Sequence, residues 1–254
     1  MKSKSIFSPL ILSILLQLLL FAGCGGGDGD SPEKGGEKTS LAASGLTIVS
    51  GSENKELEPL IQEFSRQNDC KITVKYMGSV DMMLALAERG SRFEYDAVWP
   101  ANSLWIVLGD RKKAVKQTES IMRSPVVIGV KKSVAQRLGW VGKTVAVKDI
   151  LQAARRGELR FSMTSATQSN SGASAYLGFL HALAGGPDIL NMQHLEEPVV
   201  RQNLKELLSK IDRSSGSSGW LKETLVEHYD RFQAMFNYEA MIIEANQELT
   251  ARGK

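Results

Sequence analysis

Residues that could carry out catalysis do not form a complete motif in this sequence. Gly142-Lys143-Thr144 has the ending of a phosphate-binding loop, but the first glycine of that loop would fall at Arg137. The nucleophile elbow Gly-x-Ser-x-Gly does not occur, and the three histidines, His181, His194 and His228, lack the spacing of metal ligands. We therefore expect no enzymatic activity, no cofactor and no metal ion.

The cysteine at position 24 has the sequence context of a covalent modification. Lys2 and Lys4 precede an apolar run over residues 6–22, which closes in the small-residue sequence Phe21-Ala22-Gly23-Cys24. A basic flank, a short apolar core and a small-residue end are typical of a secretory signal peptide. The ending resembles a lipobox, with Phe21 where leucine is more usual. We expect residues 1–24 to be a lipoprotein signal peptide, and acyl chains, palmitate among them, to tether Cys24 to a membrane.

An uncleaved transmembrane anchor is the alternative for this segment. The apolar run is at the short end of the roughly 17–25 residues that span a bilayer, and it contains Pro9, Ser13 and Gln17. Gly25 follows the cysteine where aspartate could stand, which favours the outer membrane in a Gram-negative cell. A Gram-positive cell would keep the protein on the outer face of its cytoplasmic membrane. Either way, we expect the protein in the cell envelope, outside the cytoplasm.

The composition predicts a globular protein behind a flexible tether. Of the 254 residues 23% are charged, and the formal charge of +3 falls to +1 without Lys2 and Lys4, which gives no case for binding nucleic acid. Residues 25–45 are rich in glycine and polar residues and cannot bury enough apolar surface to fold. With Cys24 acylated, Cys70 has no partner for an internal disulfide, and burial as a small side chain is favoured over a reactive thiol.

Strand signals alternate with helix signals from Leu46 onward. Apolar runs or period-two alternation indicate three strands, and apolar residues at helical spacing indicate helices between them. In chain order these segments are 46–49 (strand), 57–64 (helical spacing, after a capping box at Ser50-Gly51-Ser52-Glu53), 72–76 (strand), 83–87 (helix) and 95–98 (strand). This order predicts an α/β fold with a mainly parallel sheet covered by helices.

A second unit begins near Pro125. It opens with the continuous apolar strand 126–130, and two further apolar segments follow at 145–151 and 159–163. A helix then runs from Ser171 to the glycines before Pro187, with small hydroxyl residues at its start, as is usual at helix boundaries.

Five short segments, in this order, carry a resemblance to a known family. They are Ser50-Gly51-Ser52, Tyr95-Asp96-Ala97-Val98-Trp99-Pro100, Ser124-Pro125-Val126-Val127-Ile128-Gly129, Ser171-Gly172-Ala173-Ser174 and Asn237-Tyr238-Glu239. The set resembles the bacterial extracellular solute-binding proteins, in particular the type II, sulfate- and molybdate-like branch and its members with a von Willebrand factor A domain downstream. The likeness covers residues 46–254.

The resemblance implies a two-lobed α/β fold of the type II periplasmic-binding-protein kind, with mainly parallel sheets and flanking helices. It assigns residues 46–125 and 236–254 to lobe 1 and residues 126–235 to lobe 2, after the signal peptide and the tether at 25–45. In the family, another strand and further helices follow the helix that we expect over 238–249. The resemblance therefore implies a first lobe that is incomplete at its C-terminus.

The resemblance also implies which residues line the cleft between the lobes. Helix N-termini and serine hydroxyls can hold a dehydrated oxyanion with neutral donors. The implied ligand-binding residues are Gly51, Ser52, Ser79, Trp99, Ser124, Ser171, Gly172 and Tyr238. Two alternatives stay open: Ser50, Ser52 and Ser171 are helix caps and nothing more, and Trp99 is buried for packing.

Two functions follow from the resemblance. The first is a membrane-tethered lipoprotein that captures a small solute, an anion among the candidates, for an ABC-type transporter. Its partners would be the solute, the lipid membrane and a transporter permease. The alternative is a cell-surface interaction or sensor module on the same scaffold, part of a longer protein with a von Willebrand factor A domain. Neutral serine and glycine donors could serve an oxyanion, an amino acid or a sugar acid.

Overall fold

The structure, a computed structural model, describes residues 45–254. The expected signal peptide, Cys24 and the expected tether up to residue 44 lie outside the described residues. The described part contains seven β-strands. They are β1 (Leu46–Ser50), β2 (Ile72–Tyr76), β3 (Ala97–Trp99), β4 (Val126–Val130), β5 (Phe161–Thr164), β6 (Ile211–Ser215) and β7 (Ala234–Tyr238).

Ten α-helices and three short 3-10 helices connect these strands within residues 45–254. The α-helices are α1 (Glu58–Gln67), α2 (Ser79–Arg89), α3 (Leu104–Gly109), α4 (Lys132–Arg137), α5 (Val147–Arg155), α6 (Asn170–Leu183), α7 (Met192–Glu196), α8 (Pro198–Leu208), α9 (Ser218–Glu227) and α10 (Glu239–Ala251). The 3-10 helices are Ser52–Leu57, Gly90–Arg92 and Tyr229–Arg231. Among these described helices, none has the length and apolarity needed to cross a bilayer.

The first sheet has three parallel strands in the order β2-β1-β3. Residues 46–50 pair in register with residues 72–76 on one side, and Ile48 to Ser50 pair with β3 on the other. Parallel pairing needs a crossover between successive strands, which α1 and α2 provide. We call residues 45–109 the first lobe.

The second sheet has four strands in the order β4-β7-β5-β6. β5 is parallel to both β6 and β7, and β4 is antiparallel to β7. Together the two sheets confirm the predicted α/β class with mainly parallel strands and flanking helices. We call residues 126–254 the second lobe; residues 110–125, which contain no helix or strand, connect it to the first.

The position of residues 236–254 differs from the assignment to lobe 1. Phe236 to Tyr238 belong to β7, which lies between β4 and β5 in the second sheet and is buried along its whole length. α10 then packs on α9, and its Ala245 and Leu249 share a buried cluster with Leu221 of α9 and other second-lobe residues. The reason is apolar burial: a fully buried strand needs partners on both edges and a cover on both faces.

One apolar segment forms a helix where an apolar run alone could also indicate a strand. Of the two segments after β4, residues 159–163 run into β5, whereas residues 145–151 lead into α5. Ile150, Leu151, Ala153 and Ala154 are buried there, a spacing that fits one helix face. A carboxylate oxygen of Asp149 accepts a hydrogen bond from the N–H of Ala146 and stabilises the first turn.

The main hydrophobic core lies in the second lobe. Phe161, Phe179 and Phe236 meet edge to face, with ring centroids 4.9 to 6.2 Å apart. In the first lobe α1 has no buried residue, and Leu60 and Phe64 are 63% and 49% exposed. The second lobe therefore contributes most of the buried apolar core, and the first lobe contributes little.

Candidate functional site

A cavity of about 190 Å³ lies between the two lobes. Its walls come from the segment after β1, the turn from β2 into α2, and the starts of α6 and α9. The lining residues are mostly small and hydroxyl-bearing: Ser52, Glu53, Tyr76, Met77, Gly78, Ser79, Ser169, Gly216, Ser217 and Ser218. The chain thus brings loops from both sheets to one polar space.

Direct hydrogen bonds join the lobes beside the cavity. Ser52 Oγ accepts hydrogen bonds from the backbone N–H of Gly219, at 3.1 Å, and from the Ser217 hydroxyl, at 2.9 Å. The indole N–H of Trp105 donates to Asn170 Oδ1 at 2.7 Å. The structure is therefore a state in which the lobes are in contact around the cavity.

Gly78 allows the two lobes to approach closely. A Cβ atom at this position would lie 2.3 Å from the backbone carbonyl oxygen of Gln168 in the second lobe. No side chain tolerates that distance, and a backbone atom cannot swing away as a flexible side chain can. The turn from β2 into α2 thus requires glycine for this arrangement of the lobes.

Buried hydroxyl groups form a network below the second-lobe wall. Ser171 Oγ lies 2.7 Å from Thr164 Oγ1, 2.8 Å from Ser218 Oγ and 3.3 Å from Ser169 Oγ. Hydroxyls both donate and accept, so such a chain satisfies its members while fixing the starts of α6 and α9 against β5. The side chains that face the cavity are held in place by this network.

A second chain of hydrogen bonds runs from the first lobe into the second-lobe core. Trp105 donates to Asn170, whose side-chain amide donates in turn to Tyr238 Oη at 3.0 Å. Tyr238 is 4% exposed, and burial together with the charge of Glu53 raises the pKa of its phenol. Tyr238 therefore acts as a neutral acceptor in this chain.

Glu53 is the one carboxylic acid among the residues that line the cavity. Its Oε1 atom is buried and has no hydrogen-bond partner. The carboxyl group folds back over Gly51, where an added Cβ would lie 2.0 Å from Oε1. Burial raises the pKa of Glu53, and its own backbone N–H only partly offsets this effect.

Three helices of at least ten residues begin at the cavity. α2, α6 and α9 start at Ser79, Asn170 and Ser218, next to Gly78, Ser169 and Ser217. The first N–H groups of a helix lack partners within it and carry partial positive charge. The cavity therefore combines neutral hydrogen-bond donors with a single acidic side chain.

Comparison with known proteins identifies the family. Residues 46–249 match the family model described as bacterial extracellular solute-binding protein. The chain belongs to this family. No curated protein matches the sequence significantly.

The fold of this solute-binding protein is similar to that of several solved structures. The periplasmic binding protein AfuA from Actinobacillus pleuropneumoniae, with fructose-6-phosphate bound, has a TM-score of 0.51 and 14% sequence identity, over 80% of this chain and 66% of AfuA. A two-component system protein that mediates signal transduction also has a TM-score of 0.51, with 14% identity over 80% of this chain and 67% of its own. The solute-binding protein thus spans about two thirds of these neighbours' length.

The structure brings some of the expected ligand-binding residues to the cavity of this solute-binding protein. Ser52 and Ser79 line it directly. Gly51 is adjacent to Ser52, and its N–H donates to the backbone oxygen of Trp99 at 3.2 Å. Ser79 Oγ accepts from the N–H of Ala101 at 3.0 Å and keeps its own proton for a further bond.

The other expected residues support the cavity or lie apart from it. Ser171 belongs to the buried hydroxyl network, and Gly172 lets α6 pack closely on β5, since a Cβ there would lie 2.3 Å from the Thr164 carbonyl oxygen. Trp99 ends β3 and is half-buried, outside the lining residues. Ser124 Oγ accepts from Ala240 N–H in the first turn of α10, at 3.2 Å.

Helix capping does not explain the positions of Ser50, Ser52 and Ser171. Gly51 and Ser169 hold the cap positions of the first 3-10 helix and of α6, and neither helix has a side-chain cap. Ser50 Oγ instead accepts from the Asn54 side-chain amide at 3.0 Å. Ser52 instead bridges the two lobes, and Ser171 belongs to the buried hydroxyl network.

Several lining residues were not among the expected ones. The signal for three of them was present: Gly216-Ser217-Ser218-Gly219 runs into a helix, as Ser50-Gly51-Ser52 does. Ser217 Oγ accepts from Trp220 N–H and caps α9. Tyr76 and Glu53 gave no comparable signal, because their position at the cavity depends on how the two lobes meet. Among residues 45–254, no group of acidic, cysteine or histidine side chains could hold a metal ion.

Proposed function

We propose that this protein captures a small solute in the cavity between its lobes and delivers it to an ABC-type transporter. The observation that carries the proposal is the polar cavity itself, whose walls come from both lobes and whose rim is joined by the Ser52 and Gly219 hydrogen bond. A site split between two lobes gains contacts when they close, which couples binding to a change of shape. Capture needs no catalytic group.

The proposed setting is the outer face of a membrane. Acyl chains on Cys24 would tether the protein there, and the segment 25–45 would give it reach towards a permease. The family description supports a location outside the cytoplasm. Metabolic labelling with a fatty acid analogue tests the anchor: wild type should be labelled, and Cys24→Ser should not be.

A thermal-shift screen of the full chain tests solute capture. The solutes are polyols, sugars, amino acids and inorganic oxyanions. A solute at a hundred times its dissociation constant adds about 2.7 kcal/mol to the free energy of unfolding. For a protein of this size, the melting temperature should rise by roughly 5–10 °C. A cooperative melt that no solute shifts would contradict the proposal.

A sensor or interaction module on the same scaffold is the second candidate. Its support is the exposure of large apolar side chains on the first lobe, where Leu60, Val107 and Leu108 are 63%, 76% and 47% exposed. Exposed apolar side chains of this kind can contact a partner protein. A permease and ATPase encoded beside the gene would favour delivery. A longer reading frame with an Asp-x-Ser-x-Ser metal-binding motif would favour the module.

A further inference from the structure

The acidic group in the cavity has no cationic partner in the described structure. The residues that line the cavity with Glu53 include no lysine, arginine or histidine. Lys55, on the same 3-10 helix, pairs with Glu223 at 3.3 Å. Lys222 pairs with Glu248 at 2.5 Å and with Glu244 at 3.5 Å. Glu53 is therefore left to be matched by whatever occupies the cavity.

A carboxylate oxygen can only accept hydrogen bonds. Glu53 Oε1 packs over Gly51 without a donor, and an unmatched buried acceptor costs free energy until the side chain turns towards a donor. A fully ionised oxyanion such as sulfate or molybdate has only acceptor oxygens. Beside Glu53 its negative charge would repel the carboxylate, and neither group could donate a hydrogen bond to the other. A solute with O–H or N–H groups removes both conflicts.

The rest of the cavity favours a solute without net charge. The N-termini of α2, α6 and α9 place partial positive charge beside the negative charge of Glu53. The partial positive charges of the three helix N-termini would repel a cation without an anionic group, and the Glu53 carboxylate would repel an anion without a cationic group. The hydroxyls of Ser52 and Ser79 accept bonds from backbone N–H groups and can each donate one more.

We infer that Glu53 makes the cavity selective for small solutes that are neutral overall and donate O–H or N–H hydrogen bonds, and that it excludes inorganic oxyanions. Polyols and zwitterionic amino acids share this chemistry. The inference rests on the proposed capture of a solute and names the class that is captured. Glu53 is the residue that sets specificity, and the hydroxyls of Ser52 and Ser79 donate to acceptors of the same solute.

Selectivity of the full-length protein is the first test. Thermal-shift assays are run with separate panels of polyols, zwitterionic amino acids, and sulfate or molybdate. We expect the melting temperature to rise with either the polyols or the amino acids, and not with the oxyanions. The panel that raises it shows which of the two neutral classes is bound. A shift with sulfate or molybdate in the wild type would overturn the inference while leaving solute capture intact. No shift with any panel would overturn both.

Glu53→Gln tests the role of the residue itself. Glutamine keeps the size of the side chain, removes the charge and offers an N–H donor. Loss of a charge-assisted hydrogen bond should weaken binding of the neutral solute about tenfold to hundredfold, and the oxyanions should now bind. Glu63→Gln on α1, an exposed position, makes the same change of charge outside the cavity and should leave selectivity unaltered.

The two variants are compared only after their melts without solute show cooperative unfolding. Calorimetric titration then gives the affinity of each variant for the neutral solute and for sulfate. Equal affinities in Glu53→Gln and wild type for both solutes would overturn the assignment of specificity to Glu53. A loss of neutral-solute binding in Glu63→Gln as large as that in Glu53→Gln would also overturn it.

Discussion

Ser52 Oγ accepts a hydrogen bond from the backbone N–H of Gly219 at 3.1 Å, across the boundary between the two lobes. The two residues are far apart in sequence: Ser52 begins the 3-10 helix that follows β1, and Gly219 lies in the first turn of α9, which follows β6. A Cβ at Gly219 would lie 3.1 Å from the Ser52 carbonyl oxygen, so the backbones are close as well. The contact shows how small residues let the lobes meet at the edge of the cavity.

Replacement of Ser52 by alanine should weaken the contact between the lobes. The change removes the acceptor of two hydrogen bonds, from Gly219 N–H and from the Ser217 hydroxyl. We expect the free energy of unfolding to fall by about 1 kcal/mol, measured by urea denaturation. Ser209→Ala, which removes an exposed hydroxyl on the second lobe, is the control. Equal losses in the two variants would contradict the bridging role.

Gly172 and Gly178 form a matched pair on α6. A Cβ at Gly172 would lie 2.3 Å from the Thr164 carbonyl oxygen, whereas a Cβ at Gly178 would meet no atom within 4 Å. Gly172→Ala should therefore lower the free energy of unfolding by about 1–3 kcal/mol through overpacking. Gly178→Ala should raise it by up to about 1 kcal/mol, because alanine favours the helix. Similar effects at both positions would contradict the close packing of α6 on β5.

The buried carboxyl of Glu53 should make stability depend on pH. Burial raises the pKa of Glu53 in the folded state, so the folded protein holds this proton more tightly than the unfolded chain. Its contribution to stability is present in full below the unfolded-state pKa and is lost as pH rises through the raised folded-state pKa. Glu53→Gln should therefore be more stable than wild type at neutral pH.

Urea denaturation of both proteins from acidic to neutral pH checks this prediction. The stability gained by Glu53→Gln should shrink as pH falls, because the wild-type carboxyl becomes neutral too. Other titrating groups are common to both proteins and cancel in the difference. A difference that stayed constant, or that grew towards acidic pH, would show that the Glu53 carboxylate is not held at a cost in the folded state.

Much of the fold follows from local patterns in the sequence. The alternation of residues 72–76 and the apolar run 126–130 give β2 and β4, and the small residues around Ser171 mark the start of α6. These elements are determined by neighbouring residues in the sequence, so they form in the structure as predicted. Residues 145–151 show the limit: a short apolar run suits a strand or a buried helix, and here tertiary packing selects α5.

The candidate site depends on contacts that no local pattern contains. Ser52 and Ser79 could be expected from the resemblance, and both line the cavity. Glu53 could not, because its role comes from the side chain folding over Gly51 into a space closed by the other lobe. Tyr238 also shows this: it was expected at the cleft, and its place in a buried central strand is set by pairing with Val126.

The measurement that tests the central claim most directly is a calorimetric titration of the solute from the thermal-shift screen into wild type, Gly78→Ala and Gly178→Ala. An added Cβ at position 78 would lie 2.3 Å from the Gln168 carbonyl oxygen, so it keeps the lobes apart without touching either core. If capture occurs between the lobes, Gly78→Ala should bind at least about tenfold more weakly, and Gly178→Ala should match wild type. Equal affinity in all three proteins would contradict capture in this cavity.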